Sequence, residues 1–262
     1  LSQHYASAKP TVPEITEVAL WLMRTLLGDE GEHHVADHPW LRSHIVTARG
    51  RGPNGRQPGK RLVAGMGIAV LGNALSRTTL RASFQRVVFA SRGAEPLTPL
   101  FDGFGTRYID LAKTNVFNAL MASGAIPYVF EGVYDIDGAG KGAFWDGGII
   151  DYHFDLKRLP EDEVWLYPHF SSRTTVGWFD KFLPWRADRQ VSADQLIMIC
   201  PSDAFLAQLP FGKIPDRRDF GKIPERVRET YWRHCVNESQ RLADELHELI
   251  NGPDPLAGAL RV

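Results

Sequence analysis

Fourteen consecutive residues, 62–75 (LVAGMGIAVLGNAL), carry no charge. A helix that spans a bilayer needs about 20 apolar residues, so this run is too short to cross. Two uses remain. We read it as a helix buried in a core; the alternative is a segment that faces lipid or an acyl chain. A core able to swallow such a helix needs a sizeable domain, and 262 residues are enough for one large domain or two small ones. The charge is balanced, 30 Lys and Arg against 31 Asp and Glu, for a net charge of −1. That speaks against a nucleic-acid reader, which needs a basic surplus, and 44% hydrophobic residues speak against disorder. Cys200 and Cys235 make neither a disulfide framework nor a C-x-x-C pair.

Residues 1–13 are polar, with no apolar signal-peptide core. The chain opens on Leu1, and we expect it to start partway into a longer protein. Compartment is left open by the sequence, with a cytoplasmic or membrane-peripheral place favoured.

Apolar spacing marks a helix at 13–27, with Pro13 in its first turn and Gly28 as its stop. A polar loop with His33, His34 and His38 is expected next, then a short strand at 44–47. Residues 50–60 (GRGPNGRQPGK) have the composition of a mobile loop. Helices are predicted at 61–76 and 114–123, and a strand at 86–90. A hairpin is predicted over 129–151, with its turn at Asp135, Asp137, Gly138 and Gly140. Two nearly unbroken apolar runs, 164–167 and 195–199, read as strands buried on both sides. A long helix closes the chain at 224–251, its apolar stripe including Val227, Tyr231, Leu242, Leu246, Leu249 and Ile250. Strands alternating with helices define an α/β protein.

The hairpin carries the candidate chemistry. Asp146 is followed by Gly147 and Gly148 and preceded by Phe144-Trp145. Glycines permit a close backbone approach, so a carboxylate is delivered at a strand end with little bulk around it. The same pattern also suits a turn Asp that bonds its own backbone.

Residues 119–151 resemble the patatin-like phospholipase family. The resemblance rests on Ala122-Ser123-Gly124-Ala125-Ile126-Pro127, then Val129-Phe130 and Val133, the turn Ile136-Asp137-Gly138, the acid motif Asp146-Gly147-Gly148, and Asp151 after it. It implies a three-layer α/β/α sheet and one domain over 1–262, with its amino-terminal part missing. It also implies a lipid acyl hydrolase, a phospholipase or esterase, with a Ser–Asp dyad. Asp146 would take the proton of a serine hydroxyl, and Gly147, Gly148 and Asp151 would support the motif. Neither cofactor nor metal is called for. The partners implied are a lipid or acyl-ester substrate and a peripheral membrane contact, with no nucleic acid. Head group, acyl length and oligomeric state are left open.

The nucleophile of such an enzyme lies in G-x-S-x-G. Two glycine pairs stand four apart, Gly55/Gly59 and Gly138/Gly142, and their central residues are Gln57 and Gly140. The chain thus lacks the elbow, and Ser123 matches a packing position of the family rather than a nucleophile. By itself the chain is expected to be inactive. The rival expectation is a non-catalytic lipid-binding or scaffold protein with the same fold. His34 and His38 lack the Glu of H-E-x-x-H, and Asp135-x-Asp137 lacks the later ligands of a calcium loop. Residues 177–186 (GWFDKFLPWR) combine aromatic rings with Lys181 and Arg186, a mix that suits either an interfacial anchor or a packed loop.

Overall fold

In the computed structural model, residues 10–97, 104–154, 164–186, 196–256 and 259 are described. The chain groups into two compact units: 1–160 with 174–189, and 161–173 with 190–262. The protein is mixed α/β.

The first unit begins with α1 (Val12–Leu27). Thr11 and Glu14 form a capping box, and Gly28 at φ 59° ends the helix, so local signals set both boundaries. Next come α2 (Gly31–Asp37), β1 (His44–Gly50), α3 (Lys60–Leu75), the short α4 (Leu80–Ser83) and β2 (Phe84–Ala90). They are followed by β3 (Thr106–Asp110), α5 (Val116–Ser123), β4 (Val133–Tyr134) and β5 (Ala143–Asp146). The five strands form one sheet in the order β3-β2-β1-β5-β4. β1 runs antiparallel to β2 and β5, β4 antiparallel to β5, and β2 parallel to β3.

The two-residue period of the strands divides the core. Ile45, Val87, Phe89 and Phe144 face one side and pack with Ala36 of α2 and Val116, Ala119 and Ala122 of α5. Ala48, Phe84, Ala143 and Trp145 face the other and pack with Leu62, Met66 and Ala69 of α3. The sheet is therefore covered by helices on both faces.

Several expectations are corrected here. His33 and His34 lie on α2 rather than in a loop, because Val35 and Ala36 give that segment an apolar side to bury. His38 stays outside it, its Nδ1 accepting the amides of Trp40 and Leu41. The segment 50–60 is pinned rather than loose. Trp145 donates its indole N–H to the Asn54 carbonyl at 2.8 Å. Gln57 bonds both the amide and the carbonyl of Gly132, at 3.0 and 3.1 Å. A Cβ at Gly50 would stand 2.0 Å from the Asn54 oxygen, which is why that turn needs glycine. Strand β3 was not foreseen; the sequence TRYID mixes charge with apolar residues, and only its pairing to β2 gives it order.

The second unit holds β6 (Trp165–Pro168) and β7 (Leu196–Ile199), which pair in parallel. Their sequences read as doubly buried, yet Leu166 is 55% exposed and no residue of either strand is fully buried. Helices α6 (Asp203–Gln208), α7 (Asp219–Lys222) and α8 (Glu225–Asn251) follow. Their small core is Phe205, Leu209, Tyr231 and Cys235. Of the stripe foreseen on α8, Tyr231 is buried and Leu242 half-buried against this core, while Val227 and Ile250 are exposed. Buried Asp219 is held by Lys213 at 2.6 Å, by the Asp216 amide and by the Trp232 indole. Burial alone would raise its pKa, but these bonds outweigh it and lower it.

Candidate functional site

Asp146 is the last residue of β5 and pairs with Thr47 of β1. It is half-buried, and its amide donates to the Ala125 carbonyl at 3.0 Å. That bond ties the strand end to the small-residue segment after α5. The chain then makes a single 3-10 turn, 147–149, and the Asp146 carboxylate caps it by accepting the Gly148 amide at 2.7 Å. The carboxylate thus lies at a strand terminus, as the sequence implies, and it also makes the backbone bond expected of a turn aspartate.

The two glycines have different reasons. A Cβ at Gly147 would stand 2.4 Å from the Val46 carbonyl oxygen, a backbone atom of the neighbouring strand. A Cβ at Gly148 would stand 3.0 Å from the Asp146 carboxylate oxygen itself. Gly147 lets two strands close up; Gly148 leaves the carboxylate its room.

Asp151 is embedded far more deeply than a supporting loop residue needs to be. Its side chain is 4% exposed and meets the fully buried Arg86 of β2 in a bidentate pair, Nε and Nη2 each at 2.6 Å. Arg77 lies 3.5 Å away on the same carboxylate. Arg86 shares a cross-sheet row with Trp145, Ala48 and Thr106, on the α3 face. Its remaining Nη1 donates to the Phe104 carbonyl and Thr106 hydroxyl, at 2.9 and 3.2 Å. Sequence reading missed Arg86. The signal was an arginine opening the apolar run RVVFA, where a charge buried in a strand requires a partner.

Ser123 ends α5, and its hydroxyl donates to the Val46 carbonyl at 2.9 Å, the bond of a packing residue. The Asp135–Gly140 turn is closed by protein groups. Asp135 accepts the Gly142 amide, Asp137 accepts the Thr114 hydroxyl, and Arg107 donates to the Gly138 and Ala139 carbonyls. Among the described residues no group of three His, Cys, Asp or Glu is placed to hold a metal ion. One shallow cleft among the described residues lies at the end of α8, lined by Glu245, Leu249 and Pro253, and Asp146 is not part of it.

The segment 177–186 does two things at once. Phe179 is buried and Trp178 half-buried against the α3-face core, while Phe182 and Trp185 are 68% and 69% exposed. Asn73 of α3 donates to Asp180 at 2.8 Å, and Arg186 donates to the Asn73 carbonyl at 2.6 Å and the Leu75 carbonyl at 3.5 Å. Arg186 thereby caps the last turn of α3.

Comparison of the chain with protein-family models, curated proteins and solved structures finds no match.

Proposed function

We propose that this chain carries the acid half of a patatin-like serine hydrolase acting on carboxylic esters of lipids. The observation that carries the reading is Asp146. A half-buried carboxylate ends an interior strand of the sheet and accepts the Gly148 N–H, with two glycines directly after it, one of which leaves the carboxylate its room. Asp146 is then the general base that takes the serine proton as the hydroxyl attacks the ester carbonyl. An acyl-enzyme forms, the alcohol leaves, and water releases the acid. The serine of a G-x-S-x-G elbow is not among the 262 residues, so turnover needs one supplied from outside them. Arg86 and Asp151 act at a distance from the chemistry: their pair anchors the chain that leaves the motif against β2.

The test is steady-state hydrolysis of p-nitrophenyl butyrate by the product of the complete open reading frame. Asp146→Asn should lose about 10²–10⁴ in kcat with KM little changed, since the base acts on the serine and not on acyl binding. His34→Ala and His38→Ala should turn over like wild type. A reading frame without an elbow, or an Asp146→Asn enzyme as active as wild type, overturns the reading.

A further inference from the structure

Helix α3 is apolar on both sides, and only one side is used. Leu62, Met66 and Ala69 are buried, yet Val63, Ile68, Leu71 and Leu75 are 58%, 64%, 72% and 86% exposed. After Arg61 the outer face of the helix carries no polar side chain until Ser76. A helix with apolar residues all round belongs in a core or in lipid, and a contiguous exposed apolar patch marks an interaction surface.

Three observations say what covers it. The first is charge. From 38 to 94 the chain contains ten Lys and Arg and no Asp or Glu; Arg86 and Arg77 among them are taken up by Asp151. Lys60 and Arg61 are exposed in the first turn of α3, and Lys181 is exposed on the 177–186 segment, its ammonium over the Tyr152 ring. The one carboxylate of the 177–186 segment, Asp180, is buried and bonded. The second is the pair of exposed rings, Phe182 and Trp185, which Arg186 and Asp180 fasten beside the last turn of α3. Aromatic rings next to cations suit the headgroup level of a membrane. The third is length. At 1.5 Å per residue the 16 residues of α3 extend about 24 Å, and among the described residues no helix is long and apolar enough to cross a bilayer.

We infer that the outer face of α3, with Phe182 and Trp185, docks on an anionic lipid surface, lying in the plane of the interface while Lys60 and Arg61 meet the headgroups. The inference concerns a surface separate from Asp146 and holds whether or not the protein hydrolyses esters.

The experiment is co-sedimentation of the product of the complete open reading frame with vesicles of phosphatidylcholine mixed with phosphatidylglycerol, against phosphatidylcholine alone. The chain should pellet with the mixed vesicles, less so as salt screens the headgroups. Brominated lipid should quench the fluorescence that Trp185→Phe removes. Ile68→Glu with Leu71→Glu should lower the bound fraction at least about tenfold, because each places a charge in the apolar boundary. Lys60→Glu and Arg61→Glu should each weaken it about fivefold or more. All four positions are exposed, and circular dichroism checks that the fold persists. The inference is overturned if wild type stays in the supernatant with both vesicles, or if it pellets equally with both. It is also overturned if the Ile68/Leu71 variant binds like wild type, or if wild type is a dimer that this variant makes monomeric.

Discussion

Helices α3 and α5 lie on opposite faces of the same sheet, and both are built almost wholly of apolar residues. Their surroundings differ. Helix α5 has no exposed residue, because α1 packs over it and the Arg24 guanidinium covers the Phe117 ring at 5.3 Å. The amphipathic α1 is its lid, and the Thr16 hydroxyl accepting the Glu131 amide helps fix that lid in place. Among the described residues α3 has no such outer layer: one side meets the sheet and the other is bare. Apolar composition alone therefore states what environment a helix needs and not where that environment comes from. On the α5 side the protein provides it; on the α3 side the described residues do not.

The sheet faces beneath the two helices differ as well. The α5 side is lined mainly by apolar side chains, Val87, Phe89 and Phe144 among them. The α3 side buries a charge pair, Arg86 with Asp151, among Phe84, Phe104 and Trp145. The largest effect is therefore expected there. Asp151→Ala leaves the Arg86 guanidinium buried without its carboxylate and should lower stability by about 3–5 kcal/mol, read from urea unfolding. The double replacement Arg86→Met with Asp151→Leu should be far milder, since no charge is stranded. If both are equally damaging, packing rather than charge governs that face.

A middle-sized effect is expected under the lid. Ala119 is fully buried between α5 and the sheet, and Ala119→Leu should lower stability by about 1–3 kcal/mol through overpacking. The smallest effect belongs to the bare face, where Leu71→Gln should stay within about 0.5 kcal/mol of wild type in the same urea experiment. A large loss from Leu71→Gln in a monomeric protein would mean that α3 is covered on both sides after all, and the contrast between the helices would fall.

The sequence was most legible where local chemistry decides structure. The ends of α1 are written in Thr11, Glu14 and Gly28, and those of α8 in Pro224 and Gly252. The hairpin before Asp146 was readable from its Asp and Gly residues, because Asp135, Gly138, Gly140 and Gly142 all take positive φ. The strand-end position of Asp146 followed from the glycines behind it. What failed to show depends on distant partners. Arg86 and Asp151 lie 65 residues apart, so neither announces the other. Strand β3 exists through its pairing with β2. Strands β6 and β7 have sequences that read as fully buried, and the described structure buries them only in part. Residues 50–60 have loop composition, but composition does not report that Trp145 and Gly132 hold them.

The Arg186 cap on α3 has a consequence for synthesis of the chain. The carbonyls of Asn73 and Leu75 wait for a side chain 113 and 111 residues further on. At about 5–20 residues per second, the ribosome adds that stretch in roughly 6–20 s. Trp145 and Phe179, which complete the core under α3, also emerge during that wait. Until then the core under the apolar helix is incomplete and its last turn open. A nascent chain that stalls after α3 has left the ribosome and before Trp145 emerges carries this helix with its core incomplete.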